Sequence, residues 1–157
     1  MRTLVRLRLA ALLAAALPLA AACDNPFASD AREELSDARL RWERAGIDDY
    51  QYRVTRHCFC GFTGPMLVTV VDGAVVSRVF TESGQPVPAN VHARIGTVDD
   101  LFELLEAALD EDPAEFDASY DGQLGYPVSA SIDYSVNVAD EEDGFGVSEF
   151  IPTGLAR

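Results

Sequence analysis

The sequence predicts a single α+β domain in which two helices pack against an antiparallel β-sheet. Three observations lead to this fold class. Apolar residues recur at helical intervals in two segments, apolar and polar residues alternate in several others, and Asp72-Gly73 joins two β-rich runs as a tight hairpin does. The approximate order of elements is α-β-β-β-α-β-β-β. A chain of 157 residues with 48% hydrophobic content suits one such core.

The first helix is predicted to begin at Asp30 and to end before Gly46. Asp30 and Glu33 have the spacing of a capping box, and glycine commonly follows the last residue of a helix. Between these signals, apolar side chains recur at helical intervals at Leu35, Ala38, Trp42 and Ala45. We expect Trp42 to enter the core.

Three strands are predicted to follow this helix. The run from Tyr50 to Val54 alternates apolar and polar residues, which is typical of a half-buried strand. Met66 to Val71 and Ala74 to Phe80 are β-rich, and Asp72-Gly73 between them tolerates the positive φ of a two-residue turn. The segment from Glu82 to Gly96 has no periodicity and is expected to be a long loop.

The second half of the chain has the same order of one helix and three strands. Thr97 and Asp100 have the capping pattern of a helix start. The predicted buried stripe of this helix consists of Val98, Leu101, Phe102, Leu105, Ala108 and Leu109. Alternation predicts strands over residues 116–120 and 128–134, and a last strand is expected over residues 145–151.

The first 22 residues have the features of an export signal. Three arginines precede an apolar run from Leu9 to Ala20, which is too short and too rich in alanine for a membrane-spanning helix of about 20 apolar residues. Small residues stand directly before Cys23, which resembles the signal of a bacterial lipoprotein. We therefore expect Cys23 to be lipidated. Cleavage after an Ala-x-Ala sequence, which would give a plain secreted form, is the alternative.

This interpretation divides the chain into a signal peptide over residues 1–22, a lipidated tether over residues 23–29 and one α+β domain over residues 30–157. Acyl chains on Cys23 would bury CH₂ groups in a bilayer. The expected partner is therefore a membrane, and the expected protein is an exported bacterial lipoprotein that faces the periplasm or the cell exterior.

The charge of the chain argues against nucleic acid as a partner. The sequence has 12 basic and 26 acidic residues, all the acidic ones after Cys23, so that the part after the leader holds 9 basic side chains and a net charge of −17. Phosphate binding needs clustered Lys or Arg. The excess of carboxylates favours solubility and attracts cations.

Two cysteines remain for chemistry if Cys23 is lipidated. Cys58 and Cys60 would meet an oxidising compartment, where a lone nearby pair tends to bond. In an extended strand their Cα atoms would lie near the upper limit for a disulfide, about 6.8 Å, so a bridge requires a bend at Phe59. A structural disulfide is the main hypothesis, and a redox-active bond is the second.

Metal binding is a third hypothesis for this cluster. His57, Cys58, Cys60 and His92 together offer up to four soft ligands for zinc or copper. A regular strand would turn His57 away from Cys58, and His92 lies 32 residues beyond Cys60 in an unpatterned loop. No cofactor is therefore expected, and the metal site stays an alternative.

An acidic stretch offers oxygen ligands for a hard cation such as calcium. It comprises Asp140, Glu141, Glu142 and Asp143. The alternate spacing and the distal glutamate of a calcium loop are missing, so a solvated turn is the main interpretation and cation binding is the alternative.

No catalytic residues can be proposed from the sequence. It contains no Gly-rich phosphate cradle, no nucleophile-elbow pattern and no convincing serine or cysteine triad. The expected function is that of a membrane-tethered extracytoplasmic domain that is non-enzymatic and either binds or has a structural role in the envelope. Its partner would be an unknown envelope protein or small ligand. The alternative is a small thiol redox or metal-handling protein that uses Cys58, Cys60 and also His57.

Several spaced motifs run through the chain: Trp42, Tyr50-x-Tyr52, Cys58-x-Cys60, Asp72-Gly73, Tyr120-Asp121, Gly125-Tyr126-Pro127 and Asp140-Glu141-Glu142. Together they resemble a family of small exported bacterial proteins, many of them lipoproteins, whose domain has no assigned function. The resemblance extends from about Leu35 to Phe150. It implies that the two cysteines and the acidic stretch belong to the design of the domain, and it implies no activity.

Overall fold

A computed structural model describes residues 26–58, 64–88, 95–135 and 142–154. It confirms the α+β class and the predicted order of elements. The elements are α1 (Pro26–Ala45), β1 (Tyr50–Cys58), β2 (Met66–Val71), β3 (Ala74–Phe80), α2 (Val98–Asp110), β4 (Glu115–Tyr120), β5 (Pro127–Asp133) and β6 (Asp143–Pro152). The strands form one antiparallel sheet in the order β3-β2-β1-β6-β5-β4, so the first and last strands are neighbours at its centre.

Helix α1 begins four residues earlier than its capping-box pattern predicted. It starts at Pro26 instead of Asp30, so residues 26–29, which were assigned to the tether, are helical. Proline is well suited to the first turn of a helix because its φ is already helical and its missing N–H would have no partner there. Only Asp24 and Asn25 therefore separate Cys23 from the helix.

Helix α2 confirms its prediction in detail. The Thr97 hydroxyl accepts a hydrogen bond from the Asp100 N–H at 3.1 Å, and the Asp100 carboxylate accepts one from the Thr97 N–H at 2.6 Å. These two bonds form the predicted capping box. The buried residues of α2 are the six that the helical spacing selected, namely Val98, Leu101, Phe102, Leu105, Ala108 and Leu109.

The β2–β3 hairpin also has the predicted turn. Asp72 and Gly73 both have positive φ, 50° and 72°, as a tight two-residue hairpin requires. The tip is fixed to the loop before β1, because the Asp72 N–H donates to the Asp49 carboxylate at 2.7 Å and the Gly73 N–H donates to the Asp48 carbonyl at 2.9 Å.

The core lies between the two helices and one face of the sheet. Tyr50, Tyr52 and Val54 of β1 are buried on this face, and the polar residues between them are partly exposed on the other. Trp42 of α1 reaches the core as expected, with 4% of its surface exposed. Among the described residues, no helix is long and apolar enough to cross a bilayer.

Candidate functional site

The register of β1 and β6 brings the cysteine stretch beside the acidic stretch. Cys58 pairs with Asp143 and His57 pairs with Gly144. A cavity of about 360 Å³ opens at this end of the sheet. Its described lining residues are His57, Cys58, Ala130, Ser131, Glu142, Asp143 and Gly144. Two segments that the sequence suggested separately therefore meet in one place, and we call it the cysteine-end cavity.

Asp143 does not belong to a solvated turn, contrary to the main interpretation of the acidic stretch. It is the first residue of β6, and its carboxylate lies 2.8 Å from a guanidinium nitrogen of Arg56. Both side chains are only 12% exposed, and the same carboxylate oxygen accepts the Gly144 N–H at 2.9 Å. Glu142 is exposed, whereas Asp140 and Glu141 lie outside the described residues, and cation binding by the whole stretch stays a prediction.

The predicted metal ligands are only partly within the described chain. His57 is exposed and lies near Gly146, where an added Cβ would be 3.6 Å from the imidazole Nε2. Strand alternation turns His57 and Cys58 to opposite faces. The Cys58 side chain has at least one interaction partner in the protein. Cys60 and His92 lie outside the described residues. Over the part that the structure describes, no group of three or more His, Cys, Asp and Glu side chains is placed to hold a metal.

A second cavity, of about 370 Å³, lies beside α2 and was not predicted from the sequence. We call it the α2 cavity. Its apolar lining residues are Ile95, Leu104, Ala107 and Ala108, with the backbone of Gly96. Its polar lining residues are Arg78, Asp100, Glu103, Glu111 and Tyr134. An apolar wall with a few convergent polar groups is the usual composition of a small-ligand site.

Two of the polar groups in the α2 cavity are held by the fold. The guanidinium Nε of Arg78 donates to the Ile95 carbonyl at 2.8 Å, and Asp100 is occupied in the capping box of α2. By contrast, Glu103 and Glu111 are exposed, and neither carboxylate makes an ion pair or side-chain hydrogen bond with another described residue. The cavity therefore presents two carboxylates that are available to a ligand.

The sequence contained one signal for this cavity. Arg78 stands in an otherwise uncharged β-rich run, and it pairs with Val68, which in turn pairs with the buried Tyr52. An arginine at a core-facing strand position needs a partner, because burying a charge without one is costly. Sequence reasoning could therefore single out Arg78 as a candidate site residue. It could not identify the α2 residues that line the cavity with Arg78, because they are distant in the chain.

Comparison with known proteins identifies the chain at the level of its domain. A family model described as "Family of unknown function (DUF6174)" matches residues 34–152. The chain belongs to this family. No curated protein and no solved structure matches the chain. The match runs from α1 to β6, so the DUF6174 domain includes both cavities.

Two buried tyrosines fix the start of α2 in this DUF6174 domain. The Tyr50 hydroxyl accepts the Val98 N–H at 2.8 Å, and the Tyr52 hydroxyl donates to the Gly96 carbonyl at 2.8 Å. Burial raises the pKa of Tyr50 to about 12, although the Val98 hydrogen bond lowers it, and burial also raises the pKa of Tyr52. The Tyr52 hydrogen bond thus holds Gly96, which lines the α2 cavity.

Gly125 and Trp42 form a structural corner of the DUF6174 domain. Gly125 has a φ of 86°, and a Cβ at this position would collide with the Ala38 carbonyl oxygen of α1. Trp42 makes an edge-to-face contact with Tyr50 at a ring-centroid distance of 5.5 Å. Packing therefore explains why these two motif residues are present, and we assign no chemical role to them.

Proposed function

We propose that this protein is an exported, membrane-tethered domain that binds a small ligand in the α2 cavity and performs no catalysis. The observation that carries this proposal is the composition of that cavity, in which an apolar wall faces free carboxylates. Lipid on Cys23 would anchor the domain on the outer side of a membrane, facing the periplasm or the cell exterior.

The charges of the α2 cavity favour a ligand with a positive charge. Asp100, Glu103 and Glu111 contribute three carboxylates and Arg78 one guanidinium, so the cavity carries an excess of negative charge. A protonated amine would pair with Glu103 or Glu111, and a short apolar portion would contact the wall formed by Leu104 and its neighbours. An amine with an apolar chain is therefore the ligand class that the cavity fits.

Binding of a matched pair of probes tests this proposal. Hexylamine and hexanoate have the same chain length and opposite charges, and calorimetric titration should show binding of the amine alone. Replacing Glu103 and Glu111 together by Gln keeps the shape of the cavity and should weaken amine binding by about ten-fold or more, since each charge-assisted hydrogen bond contributes about 1.5–3 kcal/mol. Asp37→Asn, on an exposed part of α1, is the control. Equal binding of the two probes would contradict the proposal.

The tether is supported by the small residues before Cys23 and by the positive start of the leader. Expression of the full chain in a bacterium should place the protein in the membrane fraction. Cys23→Ser should release it, because the acyl chains would be absent. A wild-type protein that is soluble and carries no acyl group would contradict this part of the proposal.

A thiol redox or metal-handling protein is the second candidate function. It is favoured by the cysteine-end cavity, where Cys58 lies with Glu142 and Asp143 around one opening and His57 lines its rim. We propose that Cys58 and Cys60 form a disulfide, which is either a structural clip or a labile bond. Thiol counting before and after mild reductant, with metal analysis of the same sample, separates the outcomes. A resistant bond without metal excludes the redox and metal functions.

A further inference from the structure

We infer that the edge of the sheet formed by β4, together with the first turns of α1, faces the bilayer and lies against it, while the β3 edge points away. This inference rests on the proposed lipidation of Cys23. The observation behind it is the early start of α1 at Pro26.

The covalent link between lipid and domain is short. Three residue steps separate Cys23 from Pro26, and a fully extended chain spans at most about 3.6 Å per residue. The first residue of the helix therefore stays within roughly 11 Å of the lipidated residue. A tether over residues 23–29 would have allowed the domain to move much farther from the surface.

The start of α1 contacts the rest of the domain at several points. Arg32 forms an ion pair with Asp110 at 2.8 Å and donates a second hydrogen bond to the Leu109 carbonyl at 2.6 Å. Ala31 packs against the core, and Asp30 and Glu34 border a cavity of about 230 Å³ with β4. The helix start cannot swing out as a separate arm without breaking these contacts.

The attachment point therefore lies at one edge of the domain. The α1 side of the 230 Å³ cavity faces β4 residues that include Phe116 and Tyr120, and β4 is the last strand of the sheet. Five strand spacings of about 4.8 Å separate β4 from β3, which puts the two edges roughly 24 Å apart. Arg78 and the β3 side of the α2 cavity would then face the aqueous space, where a ligand could enter.

The charge of the β4 edge indicates which kind of lipid surface it can lie against. Asp30 and Glu34 carry negative charge there, and the nearby Arg32 is paired with Asp110. The Debye length of about 8 Å at physiological salt is similar to the reach of the link, so repulsion from an anionic surface would act at the imposed distance. A zwitterionic surface fits this edge.

Two labelled variants test the orientation. The variants are Asp117→Cys on β4 and Ser77→Cys on β3, and both native side chains are exposed. The strand registers place the two positions on the same face of the sheet, at opposite edges. The lipidated full-length protein would be purified from membranes, labelled with a thiol dye and reconstituted in phosphatidylcholine vesicles that carry a headgroup acceptor. The labelled wild type gives the background from native cysteines.

Energy transfer from position 117 should be about two-fold or more stronger than from position 77, because of the roughly 24 Å between the edges. Inserting ten Gly and Ser residues between Asn25 and Pro26 adds about 16–19 Å of flexible reach and should abolish the difference.

Equal transfer from both positions without the insertion would overturn the inference, and so would a difference that survives the insertion. Stronger transfer from position 117 on anionic vesicles would overturn the choice of lipid. A protein that does not float with the vesicles would instead contradict the proposed lipidation.

Discussion

Cys58 and Asp143 are cross-strand neighbours at the end of the central β1–β6 pair. The two residues come from segments that are distant in the chain, and Arg56, two residues before Cys58, supplies the ion pair to Asp143. The Cys-x-Cys stretch and the acidic stretch thus share one corner of the domain. A substitution in one of these two stretches should therefore alter the contacts of the other.

The Arg56–Asp143 ion pair should matter more for stability than the other ion pair on β1. Arg56→Met keeps the stem of the side chain and removes the guanidinium from the largely buried Asp143 carboxylate, so we expect a loss of about 3 kcal/mol in the free energy of unfolding. Arg53→Met is the matched control. Arg53 is 38% exposed and pairs with Glu149, which is 55% exposed, and such pairs contribute about 0–1 kcal/mol. Urea unfolding of both variants measures the difference, and equal losses would contradict the prediction.

Removing one hydroxyl should distinguish the tyrosines that hold α2 from a tyrosine that does not. Tyr50→Phe leaves the buried Val98 N–H without its acceptor and should cost about 1–3 kcal/mol. Tyr120 offers the control, because its hydroxyl is buried without a hydrogen-bond partner among the described residues. Tyr120→Phe should leave the stability unchanged or raise it. Thermal unfolding of the two variants checks this, and a larger loss for Tyr120→Phe would contradict it.

The same tyrosines should make the domain sensitive to alkali. In the unfolded chain Tyr50 loses its proton near pH 10, whereas burial raises its pKa to about 12 in the folded state. The folded state therefore binds more protons in this window, and the contribution of Tyr50 is fully present below pH 10 and falls as the pH rises toward 12. Tyr52 acts in the same direction. Urea unfolding at several pH values should show a smaller alkaline loss for Tyr50→Phe than for the wild type, and an identical loss would contradict the assignment.

Gly125 should tolerate no side chain. Its positive φ disfavours an L-residue, and a Cβ would collide with the Ala38 carbonyl of α1, so Gly125→Ala should cost more than about 1 kcal/mol. Gly122→Ala, in the same loop, is the control because no atom lies within 4 Å of the added Cβ. Circular dichroism during heating measures both. A Gly122→Ala loss as large as that of Gly125→Ala would show that the loop, and not the contact with α1, is responsible.

The sequence predicted those parts of the fold that depend on local signals. The capping box and the buried stripe of α2 lie within the helix itself, and Asp72-Gly73 determines its own turn. The start of α1 was missed because two local signals compete there, and Pro26 opens the helix ahead of the pattern at Asp30.

The candidate sites depend on contacts between distant segments. Arg78 and Glu103 line one cavity although they belong to β3 and α2, and the register that sets Cys58 against Asp143 joins the first strand to the last. Composition and spacing carry no information about such neighbours, and no periodic pattern in the sequence indicates which helix flank lies beside which strand. The residues of the cysteine-end cavity were therefore identified one by one but not their assembly, and the α2 cavity was not predicted at all.

The last prediction concerns the proposed bond between Cys58 and Cys60. If Cys23 is lipidated, these two thiols have no other cysteine partner within the chain, and an oxidising compartment favours their union. The enclosed loop is so small that it restricts the unfolded chain little, so replacing both cysteines by Ser should cost about 1–2 kcal/mol, below the 2–5 kcal/mol that is typical of a native disulfide in a small secreted domain.

Alkylation of the unreduced mature protein, followed by measurement of the intact mass, decides whether the bond exists. A bonded pair takes up no alkyl groups until a reductant is added. Two alkyl groups at Cys58 and Cys60 before reduction would exclude the clip and favour a metal site. If the clip exists, its loss should also disturb the adjacent Arg56–Asp143 corner, so the stability cost of Arg56→Met should differ between the Cys and Ser backgrounds. Additive costs would show that the bond and the ion pair act independently, although they share one end of β1.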